Sequence, residues 1–229
     1  MPNIPDIQTQ CFETPQHDLL ENVVQSDQLR INQNDIENWS RIQTRTDWEQ
    51  YCQPRIEALR QSLGHFPSPP KSLATHITRT IPSKAYTIEN IVFESRENIF
   101  VSANRYVPSP RKDQMPGIIL VHSHHNPKIQ VELQDMGILW AKAGCVVLVI
   151  DQFGYGDRRD HTFAPRQDYW FRHITGQQLH TLGDSLMGWM VWDIHRCVDL
   201  LLADPNIAPD KIIVMGSVAG GGDRWLRRQ

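Results

Sequence analysis

Lys211-Ile-Ile-Val-Met-Gly-Ser-Val-Ala-Gly-Gly-Gly-Asp223 decides how the rest of this chain is read. An apolar run of strand character enters a glycine-framed turn, the form of a nucleophile elbow. In such an elbow, Gly-x-Ser-x-Gly, the serine stands on a sharp strand-to-helix turn between residues without bulk. Laying that frame on Gly216 and Gly220 puts Val218 at the nucleophile position. Valine has no lone pair with which to attack a carbonyl and no proton to hand to a base. Ser217 is the neighbouring hydroxyl, but one residue of displacement in a sharp turn aims a side chain elsewhere. The chain ends at Gln229, eleven residues after Val218, and all ten histidines lie upstream. The expectation is a domain cut short after its elbow.

Working outward from the elbow, other short apolar runs share its grammar. Gly117-Ile-Ile-Leu-Val-His122 and Cys145-Val-Val-Leu-Val-Ile150 suit strands buried on both faces, as parallel strands are. Helical segments separate them, at Leu133 to Ala143 and at Ser185 to Ala203. The second carries a stripe of Leu186, Met190, Ile194, Cys197, Val198, Leu201 and Leu202. Asp184 or Ser185 can cap it, and Asp204-Pro205 closes it. Upstream, Tyr86 to Phe93 and Ile99 to Val107 alternate apolar and polar residues about a turn, as an antiparallel hairpin with one wet face does. Right-handed crossovers between the buried strands give a three-layer α/β sandwich, mostly parallel, with the hairpin at one edge.

The N-terminal third reads differently. Residues 1 to about 45 are polar and lack sustained periodicity, which predicts a loose arm with short helical pieces. From Thr46 to Gly64 an amphipathic helix is expected, bent or restarted at Pro54, with Thr46 or Asp47 as its cap. Phe66-Pro-Ser-Pro-Pro70 then forms an extended linker, because each proline fixes its own φ and excludes its predecessor from the helical region. The expected division is an arm and linker over 1–70 and a partial α/β domain over 71–229.

With 229 residues and 40% hydrophobic content the chain can build an ordinary core. A net charge of -3 supplies no field that would gather nucleic acid or an anionic membrane. The N-terminus has no basic flank and no apolar run, and no segment reaches the roughly 18 apolar residues of a membrane span. Four widely spaced cysteines without a CxxC pair read as reduced thiols, and a cytoplasmic protein is expected.

The order of hairpin, histidine-loop strand, strand ending Asp151-Gln-Phe-Gly-Tyr-Gly-Asp157, long helix and glycine-rich elbow resembles the α/β-hydrolase fold. Ser185-Leu-Met-Gly-Trp-Met-Val-Trp-Asp193, the Asp199-Leu-Leu stretch and the elbow resemble its acetyl xylan esterase and dienelactone-hydrolase-like branch. The resemblance spans Tyr86 to Asp223. It implies a carboxylic-ester hydrolase of the acetyl-ester or sugar-ester type, needing no cofactor and taking a small-molecule ester. The loop His122-Ser-His-His-Asn-Pro127 matches the place of half the oxyanion hole, and the N–H of Ala219 matches the other half. Ser123 stands where the family has glycine. The fold's order of nucleophile, acid, then histidine is not met after Val218.

Three alternatives stay open. One is an impaired esterase, another a ligand-binding pseudoenzyme. The third is a metal-dependent hydrolase built on His122, His124 and His125 with Asp151 as a carboxylate ligand. The spacing is poor for the third, since Asn126 and Pro127 stand where a His-x-His-x-Asp-His pattern needs aspartate and histidine. The glycines after Met215 lack the Gly-Lys-Ser/Thr ending of a phosphate loop. A long apolar strand left at the sheet edge would be a template for self-association.

Overall fold

The computed structural model describes residues 19–123, 127–160 and 167–216. The chain divides into two compact units, residues 1–59 and 60–229.

In the first unit, α1 (Leu19–Ser40) is one 22-residue helix and not a set of short pieces. Its sequence has no apolar stripe because it has no buried face: its described residues through Ser40 are exposed. Local pairs support it instead, with Gln25 donating to Glu21, Arg30 to Asp27 and Gln33 to Glu37. The second helix, α2 (Arg45–Ser62), runs on through Pro54. Its cap is Thr44, two residues before Thr46, with Asp47 as its reciprocal partner. Thr44 Oγ1 accepts the Asp47 N–H at 3.1 Å, and Asp47 Oδ2 accepts the Thr44 N–H at 2.9 Å. Trp39 meets the edges of Trp48 and Tyr51, and Asp35 binds both the Tyr51 hydroxyl and Arg55, which locks the two helices together.

The second unit is a six-stranded sheet in the order β1-β2-β3-β5-β4-β6. Its strands are β1 (His76–Pro82), β2 (Tyr86–Arg96), β3 (Ile99–Pro108), β4 (Met115–Val121), β5 (Val146–Ile150) and β6 (Ile207–Gly216). The expected hairpin is β2–β3, closed over a two-residue turn in which Asn98 takes a positive φ of 61° and donates its N–H to Glu94. An additional strand, β1, pairs outside it, so the hairpin is not the edge. The β1, β2 and β3 pairings, including β3 on β5, are antiparallel, while β5–β4–β6 are parallel.

Two cores sandwich this sheet. Strand alternation sends Ile119, Val121, Val146, Leu148 and Ile150 to one face, where they meet Ile194, Cys197, Leu200 and Leu201 of α5 (Leu186–Leu202). The other face presents Ile118, Leu120, Val147 and Val149 to α3 (Val131–Lys142). The fully apolar runs of β4 and β5 follow from this, because neither face sees water. A further helix, α4 (Gln167–Thr181), has no strong apolar stripe and was not legible beforehand; Phe171 on it stacks on Phe153. Segment 63–65 docks on the start of α5. Ser185 Oγ caps that helix from the Gly188 N–H at 2.9 Å and donates to the Leu63 carbonyl at 2.9 Å. Asp184 accepts the His65 N–H at 2.8 Å, which holds its carboxyl below the usual range.

Candidate active site

The parallel strands bring three loops to one edge. Val121 of β4 is in register with Ile150 of β5 and with Gly216 of β6. Hence His122 and Asp151 leave the sheet at the level that β6 reaches at Gly216. The β4-to-β5 crossover carries α3 on one face and the β5-to-β6 crossover carries α5 on the other. This makes the carboxyl ends of these strands the topological switch point of the sheet, and the crevice such a point forms is where ligands of open α/β sheets bind.

His122 is 1% exposed and its ring is locked. Nε2 accepts the Gln152 N–H at 2.9 Å, Nδ1 lies 2.6 Å from the Ser123 carbonyl, and the Gln152 side chain donates to the His122 carbonyl at 2.9 Å. The ring also packs on Tyr155 at 5.0 Å between centroids. These partners define a neutral imidazole protonated at Nδ1. Burial pushes its pKa below the ordinary histidine value. With both nitrogens engaged, this side chain holds loop to loop.

Asp151 is fully buried and organises the adjoining loops. Its Oδ1 accepts the Lys128 N–H at 2.8 Å, and its Oδ2 accepts from Lys128 Nζ at 2.5 Å, Ser102 Oγ at 2.9 Å and the Asp157 N–H at 3.1 Å. Lys128 also binds the exposed Asp157 carboxylate. Gly156 has a φ of +52°, and a Cβ there would overlap the Asp151 carboxylate. Two residues along, Arg158 is paired with Asp193 of α5 at 2.7 Å, both side chains being buried, and donates to the Asp151 carbonyl at 3.2 Å. The charged loop from Asp157 is therefore anchored inward at Arg158.

Lys128, Ser102, Gln152 and the Arg158–Asp193 pair were missed in the sequence. Their only prior signal was charge within segments next to buried strands. Of the predicted site residues, His122, Ser123 and Asp151 are brought to the strand edge, while His124, His125, Ser217, Val218 and Ala219 lie outside the described residues. Among the described residues no three His, Cys, Asp or Glu side chains are grouped to hold a metal ion.

No protein-family model and no curated sequence matches the chain. Solved structures do. A candidate acetyl xylan esterase from Bacteroides fragilis NCTC 9343 superimposes with a TM-score of 0.64 at 16% identity, covering 79% of this chain and 50% of that one. An acetyl xylan esterase from Paenibacillus sp. R4 gives 0.54 at 17%, covering 76% and 52%. A glucuronoyl esterase from Solibacter usitatus gives 0.52 at 14%, covering 80% and 56%. The chain thus spans about half the length of the solved structures it matches. At this identity the likeness defines the fold, which is that of the α/β-hydrolases.

Proposed function

We propose that this chain is a catalytically impaired relative of carboxylic-ester hydrolases of the acetyl-ester or sugar-ester type. One observation carries the reading: the strand that enters the elbow is in register with β4 up to Gly216, and two residues further on the sequence has Val218 where the frame needs serine. The fold and the strand-edge crevice support the ester-hydrolase relationship. Without a nucleophile at the elbow, acyl transfer has no covalent first step. The locked His122 ring supplies no replacement base. A small-molecule ester would be bound without efficient turnover.

The test is hydrolysis of p-nitrophenyl acetate by monodisperse protein, with Ser217→Ala alongside. Both proteins should match the protein-free rate. Turnover abolished by Ser217→Ala would show that the hydroxyl beside the elbow serves as nucleophile, and the proposal would fall.

Among the described residues Cys145 and Cys197 are buried and Cys52 is half-buried, none of them in a disulfide, which supports a reducing, cytoplasmic setting. No helix among the described residues is long and apolar enough to cross a membrane. Self-association along β6 is proposed because, among the described residues, that strand pairs only with β4.

A further inference from the structure

A groove of about 440 Å³ lies on the α3 face of the sheet, over β1, β2 and β3. Its volume is within the range of small-molecule sites, roughly 300–1,000 Å³. It is not the strand-edge crevice: β3 and β2 stand three and four strand spacings from β6, each about 4.8 Å.

Strand register explains its lining. Arg79 pairs with Asn90 and Asn90 with Asn104, forming a polar rung across three strands. The neighbouring rung on the same face is Ile81, Ile88 and Tyr106, and it is apolar. A β-bulge between Ile77 and Arg79 brings Arg79 onto this face. Ile129, just before α3, supplies an opposite wall, and the Lys128–Asp157 ion pair lies at one end.

The amides are under-used. Asn90 donates one side-chain N–H to Asn104 Oδ1 at 2.6 Å and its backbone carbonyl accepts from Thr78 Oγ1 at 3.1 Å, while no donor among the described residues reaches its own Oδ1. The Asn104 amide, 6% exposed, reaches the Lys128 carbonyl only at 3.5 Å. A primary amide offers two donors and two lone pairs, so this floor retains both kinds of valence. Lys128 and Asp157 compensate each other, which leaves the exposed Arg79 as the one further charge of the lining. Such a lining does not single out a phosphate or a polyanion. It matches a ring with hydroxyls on its edge and C–H groups on its face, the first meeting the amides and the second the isoleucines.

We propose that this groove binds a neutral mono- or disaccharide, independently of the elbow and of any ester chemistry. The experiment is saturation-transfer NMR and calorimetric titration of the full chain with glucose and cellobiose, with glucuronate and inorganic phosphate as anionic comparators. Saturable binding of a neutral sugar is expected. Arg79→Ala and Asn90→Ala should each weaken it about five- to tenfold, the scale of a lost hydrogen bond. Excess p-nitrophenyl acetate should not displace the sugar, which separates this site from the proposed ester site. Arg79 is exposed, so its variant tests the site even where Asn90→Ala does not fold. No saturable sugar binding, binding of the anions alone, or binding insensitive to Arg79→Ala would each overturn the proposal.

Discussion

Lys128 shows how much a single side chain can hold. Its ammonium sits between the fully buried Asp151 and the exposed Asp157, whose side chains are 0% and 76% accessible. Removing it leaves a carboxylate in the interior without a counter-ion. Lys128→Met should therefore cost about 3–5 kcal/mol, read as a fall in the urea midpoint, while Asp157→Asn should cost less than about 1 kcal/mol. Equal effects would show that the interior ion pair is not what stabilises these loops. His122 makes a second prediction. Its folded pKa lies below the ordinary 6.5, so on acidification the unfolded chain takes up the proton first. Its contribution is complete above that value and is lost as pH falls from there through the folded pKa. Denaturant midpoints at pH 7.5 and 5.5 should differ, and His122→Asn should reduce the difference; an unchanged pH dependence would refute the neutral lock. Asp151 was visible in the sequence as the residue ending an apolar strand. Lys128, between Pro127 and Ile129, was not, because burial of one lysine follows from where distant strands converge.

At the scale of elements, the start of α5 tests how the linker is attached. Ser185→Ala removes both the cap and the bond to Leu63, and should cost about 1 kcal/mol, within the 0.5–2 kcal/mol seen for caps. Gly188→Ala should cost more, since its Cβ would overlap the Leu63 carbonyl oxygen and segment 63–65 would have to lift off. Thermal melts rank the two, and faster proteolysis within Phe66–Pro70 should accompany the second. The reverse ranking would mean that the linker does not rest on this helix. The stripe on α5 was legible because one face is buried. That on α1 was absent because no face is, yet the helix forms through its local pairs. Strand β1 escaped notice for a related reason: all seven of its residues are exposed, so burial imposes no pattern.

Among the described residues the sheet of this molecule has two edges of different character. The β1 edge carries a bulge, Arg79 and Pro82, devices that discourage pairing. On β6, Ile213 is 50% exposed and, among the described residues, no strand covers the outer side. If a second copy pairs there, light scattering across a dilution series should show concentration-dependent association, and Ile213→Lys should shift it to monomer. A monomer at every concentration would exclude that pairing.

Composition and periodicity alone determined the layer order, the two buried parallel strands, the hairpin and the capped α5. Each of these is written in local pattern, since burial on two faces, on one face or at a turn selects different residues. Only the tertiary structure decided that β4 stands between β5 and β6, that Lys128 and Asp151 meet in the interior, that Arg158 reaches Asp193, and that Asn90 and Asn104 share the floor of a groove. Those pairings join residues far apart in sequence, and strand register, set by the packing of both cores, brings them together.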